Sequence, residues 1–146
     1  MPKDYVPANL RRLVFERARG CCEYCRSQEK YAPQRFSIEH ITPKSMGGPT
    51  TELNLALSCQ GCNSHKTNKT SARDPLTGLE TSLFNPREQT WGEHFTWGGD
   101  YTTVEGLSPT GRATVWALKL NRDGLVNIRW ALCSILEHPP AEPEPN

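Results

Sequence analysis

The sequence predicts an α+β fold: a strand–loop–strand core closed by two cysteine knuckles, followed by a helical C-terminal extension. Three observations predict it. Cys22-Glu23-Tyr24-Cys25 and Cys59-Gln60-Gly61-Cys62 are two C-x-x-C pairs, a spacing that lets a tight turn offer two thiolates to one ion. Between them, Phe36 to Ile41 and Leu53 to Leu57 read as short strands around a Gly/Pro loop. Beyond Gly78, bulky aromatics and helical periodicity take over.

In chain order, Leu10, Leu13, Val14 and Ala18 recur at helical spacing, with Pro7 and Asn9 as start signals and Gly20 as a stop. The arginines of this helix, Arg11, Arg12, Arg17 and Arg19, read as a solvated face, with phosphate contact as the alternative. The first strand ends at Pro43, the loop Lys44 to Pro49 follows, and the second strand alternates apolar and polar residues. After the second knuckle Asn63 to Lys69 can form a short helix, and Thr70 to Gly78 reads as a polar linker. Ser108-Pro109 starts a helix with Ala113, Trp116, Ala117 and Leu120 on one face. Another follows Asp123, burying Leu125, Ile128, Leu132 and Ile135. The expected division is 1–73 for the N-terminal helix and core, 74–138 for the extension, and 139–146 for a disordered, proline-rich acidic tail.

With 146 residues, the chain can build one core, or a small core with an appendage, but not two large independent domains. Met1 to Tyr5 lacks the apolar stretch of a signal peptide, and no run approaches the ~18 apolar residues of a membrane span. A soluble, cytoplasmic protein is expected. The net charge of +1 hides an asymmetry: 12 Lys+Arg against 6 Asp+Glu up to Arg73, then 5 against 10. A basic first half suits a polyanionic partner, although plain solubility accounts for most surface charge.

Four of the six cysteines fall in the C-x-x-C pairs. A disulfide framework is the reading for a small secreted chain, whereas a reducing cytosol favours metal binding. Cys22, Cys25, Cys59 and Cys62 together complete a tetrahedral zinc site, closed and therefore structural. A redox C-x-x-C and chance spacing are the competing readings, and Cys21 could replace Cys22 through a C-x-x-x-C spacing. Cys133, on a predicted helix, reads as a buried apolar residue.

Ile38-Glu39-His40-Ile41-Thr42-Pro43-Lys44, then Asn54-Leu55, then Cys59-Gln60-Gly61-Cys62-Asn63-Ser64-His65-Lys66 closely resemble the HNH endonuclease superfamily in its zinc-ribbon form. The resemblance covers roughly residues 10 to 70 and implies a ββα-metal core that cuts DNA. It implies that His40 is the general base, that Glu39 and Asn63 hold the catalytic metal, and that Asn54 braces the loop that fixes the histidine. Further along, Leu83 to Arg87, Trp91 to Trp97, Gly106 to Thr114 and Leu120 to Arg122 look like the extension of a group of stand-alone bacterial HNH nucleases.

The chemistry accounts for these residue types. Phosphodiester hydrolysis needs an activated water, an oriented phosphate and neutralisation of developing negative charge. A neutral imidazole at His40 can take the proton. Glu39 and Asn63 are hard oxygen donors that suit Mg²⁺ or Mn²⁺. The superfamily more often has Asp at Glu39 and His at Asn63, which leaves the choice of metal open, and Thr67 at the place of a further metal histidine implies completion by water. Neighbouring residues on a regular strand face opposite ways, so the strand must end or bulge for Glu39 and His40 to address one phosphate. Lys66 and Lys69 are read on one exposed face, toward the DNA backbone or simply solvated. His65 reads as structural or phosphate-facing, and His94 as packed among aromatics. The rival reading is a zinc-ribbon module that binds nucleic acid without cutting it.

Overall fold

The computed structural model of the chain describes residues 5–141. Proline at the N-cap position sets the first helix, α1 (Ala8–Arg17), because its fixed φ of −57° precedes the helix without forfeiting a needed donor. Val14 and Ala18 are buried, and Leu10 and Leu13 pack beside them. Arg11, Arg12 and Arg19 are exposed as expected. Arg17 is not: it reaches inward and donates to the carbonyls of Glu52 (2.9 Å) and Leu55 (2.8 Å).

The expected strands form an antiparallel pair, β1 (Ser37–His40) and β2 (Leu55–Ser58), with Glu39 opposite Ala56 and His40 opposite Leu55. Leu53 belongs to a 3₁₀ turn, Glu52–Asn54, and lies exposed, so β2 begins later than the sequence suggests. The expected alternation is absent, since all four β2 residues are buried. The outer edge of β2 explains this. Arg17 and Arg87 donate to Leu55 O, the Glu23 carboxylate accepts from Leu57 N, and Glu23 N donates to Leu57 O. These contacts satisfy an edge that water or another strand would otherwise pair.

The helix after the second knuckle, α2 (Gln60–Lys66), starts inside it: Cys59 is the N-cap, and its Sγ accepts from Cys62 N at 3.4 Å. The stretch expected as a linker contains half of a hairpin, β3 (Ser71–Arg73) with β4 (Glu80–Ser82), so the boundary expected at residue 73 falls at the end of β3. Asp74 builds the turn, accepting from Leu76 N and the Thr77 hydroxyl, and receives a two-pronged contact from Arg112 at 3.0 and 2.9 Å. The fork of Arg112, helped by the turn donors, holds the Asp74 carboxyl well below the usual carboxylate range. A depressed folded-state pKa stabilises above the unfolded value of about 3.9, and the effect is lost as pH falls through the folded value. Asp74→Asn is therefore expected to lower the melting temperature at pH 7, with the gap to wild type closing below about pH 4. Thermal unfolding followed across pH checks this, and an undiminished gap in acid would count against the pair.

The extension continues with α3 (Trp91–His94), the hairpin β5 (Phe95–Trp97) and β6 (Val104–Gly106), α4 (Pro109–Ala117) and α5 (Asp123–Cys133). Ser108 caps α4 as its sequence predicts, accepting from Gly111 N at 3.0 Å. Ala113, Thr114 and Ala117 form the buried face of α4, while Trp116 is 62% exposed. On α5 Leu125 and Leu132 are buried, but Ile135 lies past the end of the helix and is exposed, and Cys133 is half-buried. His94 packs its ring at a tilt against Phe84 and shares a hydrogen bond with Ser108. Of the tail expected to be disordered, residues 142–146 lie outside the described residues, and Ala141 O accepts from Arg26.

One hydrophobic cluster unites the chain, running from Val6, Val14 and Tyr24 through Leu55 and Leu57 to Phe84, Trp91, Phe95, Leu118, Leu120 and Leu125. Phe84 meets Tyr24 edge-on at 6.4 Å, and Trp91 donates its indole N–H to Tyr24 O. The segments on either side of residue 73 thus share a core. Among the described residues no helix is long and apolar enough to cross a membrane.

Candidate metal centre and active site

The two knuckles bring Cys22, Cys25, Cys59 and Cys62 together, all buried, with their sulfurs within 4.8 Å of one another. Zinc–thiolate bonds of about 2.3 Å put tetrahedral sulfurs about 3.8 Å apart, and Cys25 Sγ lies 3.6 Å from Cys59 Sγ. The cluster thus has the dimensions and donor type of a four-thiolate zinc site. In each knuckle a backbone N–H aims at a sulfur: Cys25 N at Cys22 (3.5 Å) and Cys62 N at Cys59 (3.4 Å). Cys21 is excluded from the cluster, its thiol contacting Arg19 O instead.

Beside this centre an open cleft of about 890 Å³ runs between β1 and α2. Ser37 to His40 line one side, Gln60, Asn63 and Thr67 the other, with Arg11, Arg35 and Lys44 around it. The pairing of β1 with β2 stays regular through Glu39 and His40, and the strand ends there. Both residues still border the cleft, but in unlike settings.

His40 is half-buried, and its Nε2 shares a hydrogen bond of 2.8 Å with the Thr50 hydroxyl. Asn54 is buried and spans the loop after the strand. Its Oδ1 accepts from Thr42 N (2.9 Å), and its Nδ2 donates to Thr42 O (3.0 Å) and Pro49 O (2.9 Å). Its own carbonyl accepts from Ile41 N at 2.8 Å. Gly48 lies so close beneath that a Cβ there would fall 1.8 Å from Thr42 O and 2.9 Å from Asn54 Nδ2, so only glycine permits this crossing. Asn63, in the middle of α2, faces the cleft half-buried.

Glu39 is buried. Tyr24 donates its hydroxyl to Oε1, and Lys66 Nζ lies 3.4 Å from Oε2 while donating to Ile41 O. Burial pushes the Glu39 carboxyl up, with Lys66 and Tyr24 pulling the other way. The Tyr24 phenol is raised well above its usual value by burial and by Glu39. Lys66 is therefore not an exposed partner of Lys69 but one of the most buried side chains of the protein. His65 is flanked by Arg122, Lys119 and Lys69, and burial together with these cations lowers its pKa. Sequence reasoning did not single out Tyr24 and placed Lys66 at the surface instead of beside Glu39. One signal was available: Lys66 is four residues past Cys62, on the same inward face of α2.

Residues 22–69 match the family model of the HNH endonuclease. The match begins at the first clustered cysteine and ends just past α2, enclosing both knuckles and the residues from Glu39 to Asn63. This match, over about a third of the chain, points to a nuclease-type function. Neither a curated protein nor a solved structure is significantly similar to the chain.

Proposed function

We propose that the protein is a metal-dependent DNA endonuclease that hydrolyses phosphodiester bonds in the cleft between β1 and α2. The observation that carries this reading is the convergence of Glu39, His40 and Asn63 on one cleft inside a segment that matches the HNH model. His40 acts as the general base. Thr50 holds its ring, and Asn54, by tying Thr42 to Pro49, braces the loop that carries Thr50. Glu39 and Asn63 would hold Mg²⁺ or Mn²⁺, which supplies charge neutralisation at the phosphate when bound. Arg11, Arg35 and Lys44 line the same cleft and suit a polyanion such as DNA. A reducing cytoplasm suits the four thiols.

A second reading, a zinc-ribbon module that binds nucleic acid without cutting it, draws on one observation. Both oxygens of Glu39 are already engaged, by Tyr24 and Lys66. Nicking of supercoiled plasmid, assayed with Mg²⁺, Mn²⁺ or a chelator, separates the two. Cutting by wild type should require the divalent ion. Glu39→Ala and Asn63→Ala should each need ~10-fold or more metal for half-maximal activity, since losing even a group that supports a metal ligand costs that much. Binding without cutting under every metal condition would favour the module, and undiminished cutting by both variants would move the metal site elsewhere.

A further inference from the structure

The C-terminal segment meets the thiol cluster through one side chain. Arg122, just before α5, directs Nη2 to Cys59 Sγ at 3.3 Å and Nη1 to Cys62 Sγ at 3.6 Å. Nη1 also donates to Leu118 O and Lys119 O, both at 3.2 Å, which anchors the fork to the end of α4. The second knuckle is shaped to receive it. A Cβ on Gly61 would lie 2.4 Å from Nη2, 2.8 Å from Cζ and 2.9 Å from Nε, so any other residue would push the guanidinium away.

Charge gives this fit a purpose. Four thiolates around one divalent ion carry a net charge of about −2, and a buried charge without a counter-charge is costly. Hydrogen bonds from a cation spread that charge and keep the sulfurs on the metal. Arg129, also buried, ends its fork on neutral acceptors, among them Cys25 O, Leu120 O and Thr102 O, and leaves its own positive charge near the same centre. We propose that Arg122 is the charge clamp of the zinc site, and that holding the structural metal is a task of the C-terminal segment. The proposal is independent of the nuclease reading, because it concerns zinc retention and not cutting.

The test is competition for zinc between the zinc-loaded full-length protein and a chromogenic chelator such as 4-(2-pyridylazo)resorcinol. Arg122→Met is expected to weaken zinc affinity about 10–100-fold, the range for groups that hydrogen-bond metal ligands. Gly61→Ala, which leaves the arginine but fills its seat, should fall in the same direction, and Arg122→Lys should lie between. Arg112→Met removes the fork on Asp74, away from the sulfurs, and should leave zinc affinity near wild type once the protein is folded. An equal loss in Arg112→Met would reduce the effect to general destabilisation and overturn the proposal. Wild-type affinity in both Gly61→Ala and Arg122→Lys would also overturn it, even if Arg122→Met does not fold.

Discussion

Wild type is expected to carry about one zinc per chain, and Cys25→Ser and Cys59→Ser proteins to come without zinc and without a cooperative unfolding transition. The size of the effect follows from where the cluster lies. Cys22, Cys25, Cys59 and Cys62 are part of the hydrophobic core itself, and the knuckles orient Tyr24, Glu23 and the start of α2. A four-thiolate site contributes on the order of 10–16 kcal/mol, against a usual domain stability of about 5–15 kcal/mol. Elemental analysis and urea denaturation of wild type and variants provide the check. A zinc-free protein that unfolds as sharply as wild type would sink the four-thiolate assignment.

His40→Ala is expected to keep the fold and the divalent metal and to lose turnover by ~10²–10⁴, the usual contribution of a general base. That corresponds to about 3–5 kcal/mol of activation free energy. The fold should survive, because His40 is half-buried at the last position of β1 and its neighbour Ile41 is anchored independently through Asn54 O. Single-turnover plasmid nicking at saturating metal measures the loss, and metal titration of the same variant shows that the ion still binds. Cutting at the wild-type rate would remove His40 from the chemistry.

What the sequence made legible was local. The knuckles could be read because chelation fixes the spacing of Cys22 with Cys25 and of Cys59 with Cys62, whatever surrounds them. The starts of α1 and α4 could be read from Pro7 and Ser108, since caps act within one turn. What stayed hidden depends on partners far along the chain. Arg17 and Lys66 read as surface charge, the ordinary fate of such residues, and nothing local pointed to the partners of Arg122. Yet all three are drawn inward by Leu55 O, by Glu39 and by the cysteine sulfurs. Two strands of three residues each, with Ser71, Arg73, Glu80 and Ser82 among them, carry little β signal. The hairpin they form is held at its turn by Arg112, 38 residues beyond Asp74. Likewise the exposure of Trp116 and Trp130 contradicts their hydrophobicity, because the core is already filled by Trp91, Phe95 and Leu118.

The shared core also separates heredity from architecture. The stretch recognisable as HNH runs from residue 22 to 69, but its walls are supplied by neighbours on both sides: Val14 before it, and Trp91, Phe95, Leu118 and Leu120 after it. Arg87 clasps Glu23, and Arg122 grips the sulfurs from the far end of the chain. The borders of the matched segment are therefore not the borders of the folded body. A gene fusion or transplant that carried only the motif would leave its scaffolding behind, and evolution can vary the flanks only as far as they continue to fit the graft they enclose.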